Sequence, residues 1–282
     1  MKEIRFTKMH GISNDYIYIN CMSSLPDNLS DLSIEMSNRH TGVGGDGIIL
    51  ICPSQVADFK MRIFNADGSE AEMCGNGSRC VGKYVYDNGL TDKTDITLET
   101  LAGIKELHLN VVDGYVSTVR VNMGHPILKA SLIPVVYDGQ EMLEAEVATS
   151  SGSVGITAVS MGNPHGVIFS DDIDKLDIAG IGRELETHPI WPERANIEFV
   201  KVMSRREIAM RVWERGSGET MACGTGACAA AVASVLTGRT DRKVTVHLKG
   251  GDLSIEWDSA DNNVYMTGPA ETVFIGKYYL KI

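Results

Sequence analysis

Met73-Cys74-Gly75-Asn76-Gly77-Ser78-Arg79-Cys80 and Ala222-Cys223-Gly224-Thr225-Gly226-Ala227-Cys228-Ala229 are two versions of one phrase. Each sets a cysteine ahead of a Gly-x-Gly turn, and each runs into a stretch of helical character. They stand 149 residues apart, and the same offset recurs around them: Asn14 pairs with Asn163, and Gly89 with Gly238. Met61-Arg62-Ile63-Phe64-Asn65 pairs with Met210-Arg211-Val212-Trp213-Glu214, and Gly47-Ile48-Ile49-Leu50-Ile51 falls on Asn196-Ile197-Glu198-Phe199-Val200 without a gap. One offset held from Asn14 to Gly89 marks an internal duplication. The chain is two pseudo-symmetric domains, with one of the paired cysteines, Cys74 and Cys223, in each.

The helices that follow the cysteines are the informative ones. Ala227 to Leu236 is small and apolar on all sides, so it is expected to be buried all round and wrapped by β-sheet. Ser78 to Asp87 is its more polar counterpart. Asn88-Gly89 and Thr237-Gly238 stop the two helices, with glycine in the left-handed conformation. A third helix is predicted from Asp31 to Asn38 after a capping Ser30, with a counterpart at Ile181 to Glu186. Most of the rest reads as strand. In the first half these are Tyr16–Asn20, Gly47–Cys52, Met61–Phe64, Ile96–Leu98 and Val116–Val121. In the second they are Ile156–Ser160, Val167–Phe169, Ile197–Val202, Ile208–Trp213, Val244–Leu248 and Leu253–Trp257. A short last strand at Val273–Leu280 is expected to return to the first half. The class is α/β in the broad sense (α+β). Residues 1–123 with about 270–282 form the half carrying Cys74, and residues 124–269 the half carrying Cys223.

Bulk properties narrow the function. The 282 residues are 43 % hydrophobic and 22 % charged, ordinary globular composition. A net charge of −11 with no basic run disfavours nucleic acid or an anionic membrane as partner. No apolar run reaches the roughly 18 residues of a membrane span, and Met1 to Phe6 lacks the character of a signal peptide. The six cysteines then read as reduced thiols of a cytoplasmic protein. Their spacings fit no common zinc pattern, so no metal site is expected. Cys21, Cys52, Cys80 and Cys228 read as buried small residues. Gly42-Val43-Gly44-Gly45-Asp46-Gly47 has the letters of a dinucleotide fingerprint, but it precedes a strand and opens no helix, so it reads as a loop near a ligand.

Two thiols in register suggest a chemistry. A thiolate on one face of a carbon removes a proton while a thiol on the other face returns one, inverting an acidic C–H centre. Glycines at a helix mouth bare N–H groups that bind a carboxylate, and the helix end is expected to lower the pKa of a thiol placed there. Asn14, Asn65, Asn163 and Asn196 stand at strand ends, where each could equally be a turn residue. Glu214-Arg215 lies where a strand meets the second Gly-rich turn, and His165 could tune a thiol or serve a turn.

Asn65-Ala66-Asp67-Gly68-Ser69 followed by Met73-Cys74-Gly75-Asn76-Gly77 resembles the first active-site signature of the diaminopimelate epimerase family. Trp213-Glu214-Arg215-Gly216 with Glu219, then Ala222-Cys223-Gly224-Thr225-Gly226, is similar to the second. Lys8-Met9-His10-Gly11, Arg39-His40-Thr41-Gly42, Gly162-Asn163-Pro164-His165 and Gly250-Gly251-Asp252-Leu253 also fit. The resemblance implies two similar halves, each a β-sheet curled around a central helix, in a homodimer. It implies a cofactor-independent epimerase that interconverts LL- and meso-diaminopimelate for lysine and peptidoglycan synthesis. Cys74 and Cys223 would be the acid–base pair, with His165 and Glu214 adjusting the thiols. Gly75, Asn76, Gly224 and Thr225 would hold the α-carboxylate, and Asn14, Asn65, Asn163, Asn196, Glu214 and Arg215 the rest of the substrate. Gly47 stands where some members carry a substrate-contacting Gln, and Gly166 replaces a slightly larger residue.

Rival readings make different predictions. A proline racemase-like enzyme would be expected to show His in place of Asn76, and a dienol-type isomerase lacks the two thiols. A dithiol redox protein predicts a functional Cys74–Cys223 disulfide. A non-catalytic amino acid-binding module gives no reason for paired thiols.

Overall fold

The computed structural model describes residues 2–150 and 152–280. The chain divides into two compact units, residues 1–121 with 268–282 and residues 122–267. Unit 1 runs β1 (Lys2–Gly11), β2 (Asn14–Asn20), α1 (Leu29–Ser37), β3 (Gly47–Cys52), β4 (Phe59–Asn65), β5 (Glu70–Ala71), α2 (Gly75–Asp87), β6 (Asp95–Thr100), β7 (Gly103–Val112) and β8 (Tyr115–Asn122). Unit 2 repeats that order after an added strand: β9 (Ala145–Thr149), β10 (Gly152–Ser160), β11 (Pro164–Phe169), α3 (Ile178–Glu186), β12 (Asn196–Ser204), β13 (Glu207–Glu214), β14 (Gly218–Glu219), α4 (Gly224–Leu236), β15 (Lys243–Leu248), β16 (Gly251–Trp257) and β17 (Val264–Pro269). The last strand, β18 (Glu271–Leu280), pairs antiparallel with β1, as β9 pairs with β10.

The pairing pattern is the same in both units. A hairpin (β1–β2, β10–β11) leads through a helix to a parallel strand (β3, β12), which is antiparallel to the next (β4, β13). That strand is parallel to the one after the second helix (β6, β15), and an antiparallel partner follows (β7, β16). The fold is therefore mixed α+β with few helices on a large curled sheet, built twice.

Each sheet has a helix on either side. Ile48 and Leu50 of β3 pack with Leu32 and Met36 of α1. The alternate residue Ile49 lies under α2, where a Cβ on Gly77 would come 2.7 Å from its Cδ1. A strand buried on both faces reads as a continuous apolar run, and all six residues of β3 are buried. In unit 2, Ile197 and Phe199 join Ile178 and Leu185 in one core. α4 contacts β10, β11, β12, β13, β15 and β16, so its all-apolar surface is enclosed by sheet. Gly89 and Gly238 take φ of 67° and 70°, the left-handed stops anticipated for the two helices.

Several local expectations change. α1 starts at Leu29, with Ser30 inside it; its N-cap is Asn28, whose left-handed backbone (φ 49°) supplies the turn without a side-chain cap. α3 starts at Ile178, capped by Asp177 accepting from the Gly180 N–H at 3.0 Å; two helical glycines hid that first turn from the periodicity. Strands β1, β5, β7, β9, β14 and β17 were not anticipated; in β1 and β7 lysines and glutamates interrupt the apolar alternation. Among the described residues no helix is long and apolar enough to cross a membrane.

Candidate active site

Both cysteines are helix N-caps. Cys74 precedes α2 in extended conformation (φ −139°), and its Sγ accepts the Gly77 N–H at 3.3 Å. Cys223 precedes α4 at φ −127°, and its Sγ accepts the Gly226 N–H at 3.4 Å. The cysteine carbonyls accept from Ser78 and Ala227 and open the intrahelical ladders. The first two N–H groups of each helix, on Gly75 and Asn76 and on Gly224 and Thr225, lie ahead of those ladders, where an anion is favoured.

The turn into each helix is held by a repeated ion pair. Arg62 grips Glu70 through two bonds of 2.7 and 3.0 Å, and Arg211 grips Glu219 through two of 2.8 and 3.1 Å. Bidentate Arg–carboxylate pairs fix orientation as well as distance. They set the short β5 and β14 against the strands they follow.

In unit 1 the Cys74 thiol donates to Asn14 Oδ1 at 3.3 Å, and Asn76 Nδ2 approaches the same oxygen at 3.4 Å. Asn14 Nδ2 donates to Asp46 Oδ2 at 2.8 Å. A carboxylate only accepts, so Asp46 settles which end of the Asn14 amide faces the sulfur. Arg39 bridges Asp46 and Asp15, and Lys8 joins Asp15 at 2.5 Å. Asn14 itself follows a two-residue turn in which Ile12 and Ser13 take φ of 49° and 71°. A buried β-branched residue at positive φ stores strain beside the site. Asn65 ends β4 in register with Gly47 and donates to Ser69 at 3.1 Å; no described hydrogen bond ties it to Cys74.

Unit 2 gathers more ionisable groups. Glu214 is half-buried, and burial raises its pKa, while the Thr220 hydroxyl that donates to it and the nearby Cys223 thiol oppose the rise. Burial pushes the Cys223 thiol well up, and the carboxylates of Glu214 and Glu198 push the same way, against Thr225 and the Gly226 N–H. The lowering expected from the helix end is therefore outweighed at Cys223. A helix terminus is worth up to about 2 kcal/mol, while full burial beside like charge shifts a pKa by up to about 3–5 units. His165 Nδ1 meets Glu198 Oε1 at 2.7 Å, and its Nε2 meets Asn163 Oδ1 at 3.0 Å. Asn196 Oδ1 accepts the Arg215 N–H at 2.8 Å, and the Arg215 guanidinium donates to the Glu193 carbonyl at 2.9 Å. Glu186 accepts from the Trp213 indole at 2.8 Å and the Gly216 N–H at 2.9 Å, so it holds Glu214-Arg215 from both flanks.

Sequence reasoning missed Asp46, Glu186 and Glu198. The signal for Glu198 was present: an acid inside the apolar run Asn196-Ile197-Glu198-Phe199-Val200, opposite Ile49 in the repeat. The two departures at glycine have packing causes. A Cβ on Gly47 would lie 2.1 Å from the Phe64 carbonyl oxygen, and one on Gly166 would lie 2.9 Å from Trp191 Cζ2.

The model of the family described as diaminopimelate epimerase matches residues 6–129 and 157–273. The chain belongs to the diaminopimelate epimerase family. It is 56 % identical over 274 residues to a diaminopimelate epimerase of Acetivibrio thermocellus, covering 97 % of this chain and 98 % of that one. It is 53 % identical to one of Methanococcus maripaludis strain S2, covering 97 % and 99 %. Among solved structures, it resembles a phenazine biosynthesis protein of the PhzF family from Bacillus anthracis, with TM-score 0.73 at 17 % identity over 99 % of this chain and 100 % of that one. A hydroxyproline epimerase from Agrobacterium vitis follows at TM-score 0.69 and 16 % identity, over 99 % and 91 %. At those identities the likeness concerns the fold alone.

Proposed function

We propose that this protein interconverts LL- and meso-diaminopimelate, with Cys74 and Cys223 serving opposite faces of the α-carbon. The observation that carries the reading is the pair of thiols, each an N-cap whose sulfur accepts the N–H of the second glycine in its turn. Near-full-length identity above 50 % to proteins of that name supports the substrate. One thiolate removes the α-proton, and the other thiol protonates the carbanion from the far side. The α-carboxylate binds the N–H groups of Gly75, Asn76, Gly224 and Thr225, which stabilise the charge that develops there. Asn14, Asn65, Asn163, Asn196, Glu214 and Arg215 take the remaining polar groups of the substrate. The Glu214 carboxylate, near enough to the Cys223 thiol for each to act on the other, gives that proton somewhere to go when Cys223 acts as base, and His165 adjusts the same dyad. This chemistry needs no cofactor.

Six cysteines that read as reduced thiols support work in a reducing cytoplasm. A homodimer is supported by the apolar strip on β18, where Val273, Phe274, Ile275 and Tyr279 are 55, 45, 72 and 52 % exposed. The deciding experiment is proton NMR of the reduced protein in D2O, with LL-diaminopimelate beside a panel of other amino acids. Loss of the α-proton signal with formation of the meso isomer, for diaminopimelate alone, is the expected result. Cys74→Ala is expected to keep its fold and lose epimerisation, and turnover retained in that variant refutes the two-base reading.

A further inference from the structure

The duplication placed different residues beneath the two catalytic helix ends. In unit 1 the first turn of α2 rests on Ile49, and in unit 2 the first turn of α4 rests on Glu198. The two are repeat mates. Glu198 has no exposed surface, and neither has its partner His165. A Cβ built on Gly226 would lie 2.6 Å from Glu198 Oε1 and 3.3 Å from Cys223 Sγ. Carboxylate and sulfur are therefore no more than about 6 Å apart, within the range where one negative charge opposes another. The second carboxylate oxygen, Oε2, is buried with no hydrogen-bond partner. A buried acid left partly unsatisfied is costly and calls for a reason.

We propose that Glu198 is a positioning residue of the acid–base machinery, fixing His165 through Nδ1 and keeping the proton on Cys223 in the free enzyme. This rests on the two-thiol reading above. The charged and titratable groups around it are His165 on β11, Glu214 on β13, and Cys223 itself at the mouth of α4. Both ring nitrogens of His165 face oxygens, Glu198 Oε1 and Asn163 Oδ1. The Glu198 carboxyl group is the end of this buried pair that lies beside Cys223. A carboxylate at that distance favours S–H at Cys223, so the dyad starts with the sulfur as acid. Ile49 gives Cys74 no such field. The repeat thus assigns its two like thiols unlike resting states by a single buried exchange of isoleucine for glutamate.

The test does not depend on turnover. Protein labelled with 13C at cysteine Cβ reports thiol ionisation at each sulfur by NMR, with the Cys223 resonance assigned from Cys223→Ser. Glu198→Gln keeps the volume and a hydrogen-bonding end while removing the charge. In it, the Cys223 resonance is expected to titrate at least about one pH unit lower than in the wild type, about tenfold more thiolate at a given pH. The Cys74 resonance should stay where it was. Glu198→Ile, which copies unit 1, should shift Cys223 in the same direction. Wild-type and Glu198→Gln resonances of Cys223 that track each other across the pH range overturn the proposal, as does an equal shift at Cys74. Failure of diaminopimelate turnover in the wild type would count against the proposed function and leave these titrations unaltered.

Discussion

Placing alanine at the second glycine of each catalytic turn should affect the two halves unequally. Neither Gly77 nor Gly226 has a positive φ, so alanine meets no backbone strain at either, and in a helix it gains up to about 1 kcal/mol over glycine. What the new methyl meets differs. At Gly77 the close atom is Ile49 Cδ1 at 2.7 Å, the far end of a side chain that can rotate away. At Gly226 it is Glu198 Oε1 at 2.6 Å, an oxygen bonded to buried His165 at 2.7 Å. That oxygen cannot withdraw without loosening a fully buried hydrogen-bonded pair. Overpacking of this kind costs about 1–3 kcal/mol. Gly77→Ala should therefore be neutral or stabilising by a few tenths of a kcal/mol, while Gly226→Ala should lose about 1–2 kcal/mol. Native-state hydrogen exchange on peptides covering α2 and α4 reads both sites. The expected result is roughly 5- to 30-fold faster exchange in α4 of Gly226→Ala and no acceleration in α2 of Gly77→Ala. Equal loss of protection at both helices would refute the argument that the immobile carboxylate makes the difference.

Glu186→Gln should leave the Trp213 indole or the Gly216 N–H without an acceptor, at about 1–3 kcal/mol. Because the loosened segment carries Arg215, KM for diaminopimelate should rise more than kcat falls, and equal effects on both would count against a positioning role. Asp58 is held down to about 2 by the Lys93 ammonium and the Thr97 N–H. A depressed carboxylate contributes stability above its unfolded pKa and loses it as pH falls through the folded value. Urea denaturation of Asp58→Asn should therefore show a loss of about 1 kcal/mol at pH 7, after allowance for solvent screening, that vanishes towards pH 2; a pH-independent deficit would contradict this. Ile275→Lys, which puts a charge on the β18 strip, should shift sedimentation from dimer to monomer, and an unchanged coefficient would remove that strip from the interface.

The duplication, both catalytic helices and their glycine stops were legible because they are local: a capping residue, a Gly-x-Gly turn and a composition that admits only burial. β1 and β7 were hidden because Lys8 and Lys105 stand where alternation alone asks for apolar residues. Lys8 is buried by pairing with Asp15 and bonding the Gly44 carbonyl, contacts made by distant segments. Asp46, set in a loop read only as close to a ligand, owes its role to a bond with Asn14, 32 residues away. The rise of the Cys223 pKa was misjudged for a related reason. The helix end is written in the sequence, whereas the burial that chiefly opposes it and the two carboxylates that add to it come from packing by separate strands.

The pairing of β18 with β1 has a consequence for biosynthesis. Unit 2 is one uninterrupted stretch, 122–267, and all its strands have been synthesised before β18 exists. Unit 1 leaves the ribosome first, yet the strand that covers β1 from Lys2 to His10 is made only after unit 2 is complete. The half that begins the chain is thus the half that must wait, with one edge of β1 unpaired and the core around Ile4 and Phe6 short of Tyr278 and Leu280 during translation.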